Sequence, residues 1–162
     1  MAAGLRLAVN YKGFDLSTFI FGSFGVDLFN FNKLFTDFYQ FEANIRQEVA
    51  TNYWSPSNTS SGIPAPDLNG RTNNQRPSTY YVEKGDYIRF ENIQLGYKLP
   101  AVDGVFSSAR VYVQLQNMIT ITDYTGLDPA FSNFGRSDNG AGVDFGNYPS
   151  AKTIMVGVNV EF

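Results

Sequence analysis

Three groups of side chains in this sequence have types that could do chemistry. Tyr53 and Trp54 stand side by side at the head of a stretch dense in Pro, Ser and Asn, where two flat rings could stack on a sugar ring and bind substrate. The plainer explanation is that they pack a long loop onto itself. Asp123, Asp128, Asp138, Asn139 and Asp144 could offer hard oxygen ligands to Ca²⁺, but their spacing departs from the D-x-[DN]-x-[DN]-G order of a calcium loop. Turn chemistry explains them better. Arg6, Arg89 and Arg110, with Asp15, Glu91 and Glu161, could line a path for a polar solute or pair with one another along a wall, and pairing is favoured.

The chain has no His and no Cys. That removes zinc sites of the usual ligand types, thiol chemistry and a histidine base. Glycosidase chemistry needs two carboxyl groups at a defined separation, one with a raised pKa, and sequence supplies neither. No catalytic constellation emerges, no metal or cofactor is expected, and the chain does not read as an enzyme. A net charge of −3 and a pI near 4.8 leave no basic patch to neutralise a phosphate backbone, so nucleic acid is not an expected partner. The 15 Phe and 10 Tyr, against 17% charged residues, are a heavy aromatic load for a soluble domain. Those rings must fill a core or face something other than water.

The elements that would position these residues are strands. Leu5, Leu7, Val9 and Tyr11 fall on one face of a first run, and Leu16, Thr18 and Ile20 on one face of a second, with Lys12-Gly13 as a two-residue hairpin turn between them. Asp86 to Pro100 and Ala109 to Met118 form a longer hairpin around Asp103-Gly104; Ile119 to Tyr124 extends its second strand. Ala109, Val111, Val113 and Leu115 alternate there with Arg110, Tyr112, Gln114 and Gln116. The apolar parity changes between Phe90 and Ile93, which places a bulge near Glu91-Asn92. Ile154, Val156, Val158, Val160 and Phe162 form a last apolar stripe. Between the hairpins, Ala43 to Ala50 suits a short helix, residues 54–77 form a long loop, and Ser78 to Glu83 is extended. Thr125 to Ser150 is a second long loop.

Connections therefore alternate short and long: two residues, roughly sixty, eight, then above twenty, against a usual median of about 4–6. Outer-membrane β-barrels alternate in this way, with short periplasmic turns and long extracellular loops. Aliphatic residues would face lipid and polar ones a lumen. The C-terminus would then be periplasmic, with Tyr11, Phe14, Tyr97, Tyr112 and Phe162 near the lower rim, where interfacial aromatics belong. Five strands cannot close a barrel, since the smallest have about eight. The chain is expected to be the C-terminal segment of a larger one. No run is long and apolar enough for a membrane-spanning helix, and residues 1–6 do not form a signal peptide, so the natural start is expected upstream unless the chain is cytosolic.

The residues in hand resemble the SusC-like (RagA-like) TonB-dependent transporters of Bacteroidota outer membranes, in the C-terminal part of the barrel. The resemblance is carried by Asn10 to Ser17 with Gly22 to Gly25, Trp54 to Asn58, Tyr87 to Pro100, Arg110 to Asn117, Thr120 to Pro129, Asn147 to Pro149 and Gly157 to Phe162, in that order. It implies an all-β fold, with residues 1–162 as the last five or so strands of a barrel of about 22, the plug and earlier strands lying outside them. It also implies a SusD-like surface lipoprotein closing over the barrel, coupling to a TonB complex through a region not in this sequence, and import of glycans, oligosaccharides or peptides. Phe162 resembles the terminal aromatic signal read by the barrel-assembly machinery. The rival reading is a soluble β-sandwich carbohydrate-binding module, whose apolar stripes would face a shared dry core.

Overall fold

The computed structural model describes residues 1–38, 44–66, 74–130 and 141–162. Its strands in chain order are β1 (Ala2–Tyr11), β2 (Phe14–Ser23), β3 (Asp27–Asn30), β4 (Val82–Lys84), β5 (Tyr87–Leu99), β6 (Ser108–Thr122), β7 (Val143–Asp144) and β8 (Thr153–Glu161). The five long strands form one antiparallel meander in the order β1-β2-β5-β6-β8, with β1 and β8 at its borders. The fold is the expected all-β meander. Among the described residues, no helix is long and apolar enough to cross a membrane.

Local chemistry sets the hairpins. Lys12 and Gly13 both have positive φ, 45° and 86°, as a two-residue turn matching the twist of its strands requires. Tyr11 then pairs with Phe14. At the second turn, Gly104 has φ 75°, and the Val105 amide donates to the Val102 carbonyl at 3.0 Å.

The registers align the apolar stripes into rows that cross the whole sheet. Val9, Leu16, Leu95, Val113 and Val156 make one row, and Leu7, Thr18, Ile93, Leu115 and Ile154 the next. Nearer the turns, Tyr11, Phe14, Tyr97, Val111 and Val158 make a third, with the Phe14 and Tyr97 ring centroids 4.5 Å apart. Val156 is 78% exposed and Ile154 63%, so nothing else in the described residues covers this face. A sandwich would bury it against a second sheet, which excludes the rival reading. The opposite face is polar, with rows such as Ala8, Ser17, Gln94, Gln114 and Met155. Tyr112 lies near that end too, on the polar face where the alternation of its strand puts it, aligned with Gly96 and Gly157.

The bulge falls where the parity change placed it. Glu91 has no partner on β2, because the register steps from Phe19↔Asn92 to Ile20↔Phe90. On the next strand, Phe90 pairs with Ile119 and Asn92 with Gln116, leaving Asn117 and Met118 outside the ladder at the same level. Asn117 takes φ 52°, a conformation Asn tolerates better than most residues.

The long connections build a second body at one end of the sheet. Strand β3 lies between β4, antiparallel, and β7, parallel. Leu28, Phe38, Val49 and Tyr81 are buried there. Ring pairs such as Phe29 and Tyr81 (5.4 Å) and Phe31 and Phe145 (4.8 Å) account for much of the aromatic load. The helix expected over 43–50 starts later, as α2 (Gln47–Asn52), after a one-turn α1 (Lys33–Thr36). Arg46 is held extended because its amide donates to the Thr36 carbonyl at 2.8 Å and its guanidinium to Asp37. The expected extended run at 78–83 is a 3-10 turn over Thr79–Tyr81 followed by β4. The long loop after β6 contains β7, too short to show a period in sequence.

Candidate functional site

Among the described residues, the buried charged groups lie on the polar face of the sheet and in the loop body beside it. Asp15 on β2 reaches across β5 to Arg110 on β6: Arg110 Nε donates to Asp15 Oδ1 at 2.8 Å and Nη2 to Oδ2. It can do so because the residue between them is Gly96, where an added Cβ would stand 2.4 Å from the Arg110 guanidinium and 2.5 Å from Asp15. Tyr112 likewise lies over Gly157, its ring and hydroxyl occupying the space a side chain would take. These two glycines are spaces for their neighbours, a role that alternation of apolar residues does not reveal. Gly96→Val is expected to separate Asp15 from Arg110 and to cost about 1–3 kcal/mol, the range for overpacking. Unfolding of the variant beside the wild type would measure it.

At the loop end, Arg89 on β5 is buried, and each of its three guanidinium nitrogens has a partner. Its Nε donates to Thr120 Oγ1 and its Nη1 to Ser150 Oγ, each at 3.0 Å, and its Nη2 donates to Asp128. Asp128 also accepts from the amides of Ala130 (2.8 Å) and Ser150 (2.9 Å). Burial pushes the Asp128 carboxyl up, but the Ser150 amide, the Arg89 guanidinium and the Ala130 amide outweigh it and hold the pKa down at about 2. Of the expected wall pairs, Arg110 finds Asp15, whereas Arg89 pairs with a loop acid. A carboxylate bonded to two amides and one guanidinium is turn and clamp chemistry.

Two more carboxylates complete the arrangement. Glu83 on β4 accepts from the Thr125 amide (2.8 Å), Thr125 Oγ1 (2.7 Å) and Asn30 Nδ2 (3.0 Å), and pairs with Lys33 at 2.8 Å. Burial opposes its ionisation, and Lys33, Thr125 and Asn30 reverse that to keep its pKa low. Asp144 on β7 accepts from the Tyr124 hydroxyl at 2.6 Å; burial and this hydrogen bond push the Tyr124 pKa up. Residues 124–128 are therefore a strap tied by Asp144, Glu83 and Arg89, from three different strands. Nearby, Asp37 holds Arg46 by two bonds, at 2.6 and 2.7 Å, and Tyr80 at 2.6 Å.

Two cavities flank the strap. One, of about 210 Å³, is lined on the sheet side by Arg89, Thr120, Thr122, Ser150 and Lys152. The other, of about 280 Å³, is lined on the loop-body side by Asn30, Asn32, Lys33, Thr36 and Arg46. Gly126 and Leu127 line both. Tyr53 and Trp54 lie apart from these linings and are exposed, their backbone fixed by a bridge between Tyr53 and Ile63 and by the Trp54 amide, which donates to the Ile63 carbonyl at 2.8 Å. Phe162 is 92% exposed beyond β8, beside the Ala101 to Ser107 turn. Asp123 is exposed, and Asp138 and Asn139 lie outside the described residues. Among the described residues, no three acidic side chains gather as a metal site would need.

No family model matches the chain. It is 34% identical to TonB-dependent receptor P3 of Formosa agariphila over 98% of its length, covering 16% of that protein. It is 30% identical to TonB-dependent receptor SusC of Bacteroides thetaiotaomicron, again over 98% of its length and 15% of the relative. Its fold superposes on the structure of the RagAB peptide transporter with a TM-score of 0.76 and 26% identity, covering 98% of this chain and 17% of that one. The chain spans about a sixth of the relatives it matches. In sequence over nearly its whole length, and in fold, this chain belongs to the SusC-like TonB-dependent receptors and forms a segment of their β-barrel.

Proposed function

We propose that the chain forms the last strands of the barrel wall in an outer-membrane nutrient importer driven through TonB. Its cargo would be a glycan, oligosaccharide or peptide, and a SusD-like lipoprotein would close the barrel from outside. The observation that carries the reading is the two-sided sheet. One face is a largely apolar field of exposed and half-exposed side chains suited to lipid, and the other a polar, ion-paired wall. Short turns gather at one end and the loop body at the other, which supports a periplasmic C-terminus and extracellular loops. In this frame Tyr53 and Trp54 contact cargo from an external loop, and Phe162 is the signal read by the barrel-assembly machinery.

The native absence of cysteine makes the orientation testable in the full-length receptor, in a version free of other cysteines. Trp54→Cys is expected to react with a membrane-impermeant maleimide on intact cells, and Gly104→Cys only after the outer membrane is opened. The reverse pattern would sink the orientation. Loss of cargo uptake on deleting the receptor, with rescue by the intact gene, tests import itself.

A further inference from the structure

We propose that the two cavities on either side of the strap at residues 124–128 are adjacent subsites for a linear oligomer whose units carry carboxylates. The inference rests on the import reading and names the cargo chemistry it would favour. The cavities share Gly126 and Leu127 as a common wall, and Leu127 is 66% exposed, so an extended ligand can cross that wall with one unit on each side. Each volume is below the range of about 300–1,000 Å³ that takes a drug-sized ligand, which suits single units of a chain.

The charge of the linings selects the ligand. Among the described residues, the loop-body cavity presents Lys33 and Arg46 and no acid; their counter-ions, Glu83 and Asp37, are not part of its lining. Lys33 has three donors; one faces Glu83, which leaves protons for a ligand. Arg46 turns Nε and Nη2 to Asp37 and keeps Nη1, whose acidic neighbour Glu48 is 3.9 Å away. Asn30, also in this lining, turns its Nδ2 to Glu83 at 3.0 Å. On the sheet side, Asp128 is neutralised by Arg89, and Lys152 is exposed with no acid within 4.0 Å among the described residues. In a chain of net charge −3, each cavity therefore offers cationic donors, Lys33 and Arg46 on one side of the strap and Lys152 on the other. The apolar Leu127 between them suits the carbon face of a unit bridging the two.

The test is binding to the purified full-length receptor in detergent, by calorimetry, with three probes: a tetramer of galacturonic acid, a tetraglutamate peptide and a neutral glucose tetramer. At least one acidic probe is expected to bind about tenfold tighter than the neutral one, the size of one charge-assisted hydrogen bond, and to weaken with salt. Which acidic probe binds decides between a uronate glycan and an acidic peptide. Lys152→Gln is expected to weaken acidic binding about tenfold at an unchanged melting temperature, and Lys33→Gln, which removes the charge opposite Glu83, to weaken it as much at a lower melting temperature. Equal binding of all three probes, or acidic binding unmoved by both variants, overturns the proposal. Acidic binding without accumulation in energised cells would instead overturn import and leave the subsites standing.

Discussion

Arg89→Met in the full-length receptor is expected to destabilise the loop end of the barrel by about 3–5 kcal/mol, the usual cost of stripping one partner from a buried ion pair. Asp128 would remain buried, and Thr120 and Ser150 would each lose a bond. Amide exchange at Ala130 and Ser150 should accelerate, because both amides donate to the carboxylate the guanidinium holds. The double variant Arg89→Met, Asp128→Asn should recover part of the loss, since a neutral amide is cheaper to leave in place than a charge. Acid should mimic the single change. The folded pKa of Asp128, about 2, lies below its ordinary value of 3.8. Its contribution is therefore complete above about pH 4 and is lost as pH falls toward 2. If exchange at Ala130 and Ser150 is the same in wild type and Arg89→Met, the clamp does not hold the loop.

Leu115→Arg and Gln114→Arg, adjacent in sequence, should differ sharply. Leu115 lies in the aliphatic row with Ile93 and Ile154, and Gln114 in the polar row with Gln94 and Met155. An arginine on the lipid face costs about 2–4 kcal/mol at the membrane midplane and little near the interface. Leu115 is two rows further from the turns than Tyr97 and Phe14, so the larger figure applies. Gln114→Arg enters a face that already carries Arg110 and should change stability by less than about 0.5 kcal/mol. Unfolding both variants in lipid vesicles gives the comparison. Equal losses would mean the two faces have been assigned the wrong way round.

The sheet was readable because its signal is periodic. Strict alternation over ten or more residues assigns each face, and Lys12-Gly13 and Asp103-Gly104 announce their turns. Even the parity change at Glu91 survives in the residue order, as the registers on both sides of β5 confirm. What sequence concealed is non-periodic. The parallel pairing of Phe29 with Val143 joins residues more than a hundred positions apart through strands too short to show a pattern. Helix α2 begins late because of Asp37, nine residues before Arg46. The pattern points Arg89 to a partner along the wall, yet Asp128 comes from a loop, since a strand register constrains neighbours on the sheet and nothing beyond its end. Gly96 and Gly157 matter through Arg110 and Tyr112 on the strand beside them, a relation visible only once strands are aligned.

The borders of the sheet bear on how such a wall reaches its membrane. On its outer side, each of β1 and β8 carries a line of amide and carbonyl groups with no ladder among the described residues, and hydrocarbon solvates neither. Each border therefore needs a neighbouring ladder before it can sit in hydrocarbon, so an edge left open during insertion has to be covered until the seam is complete.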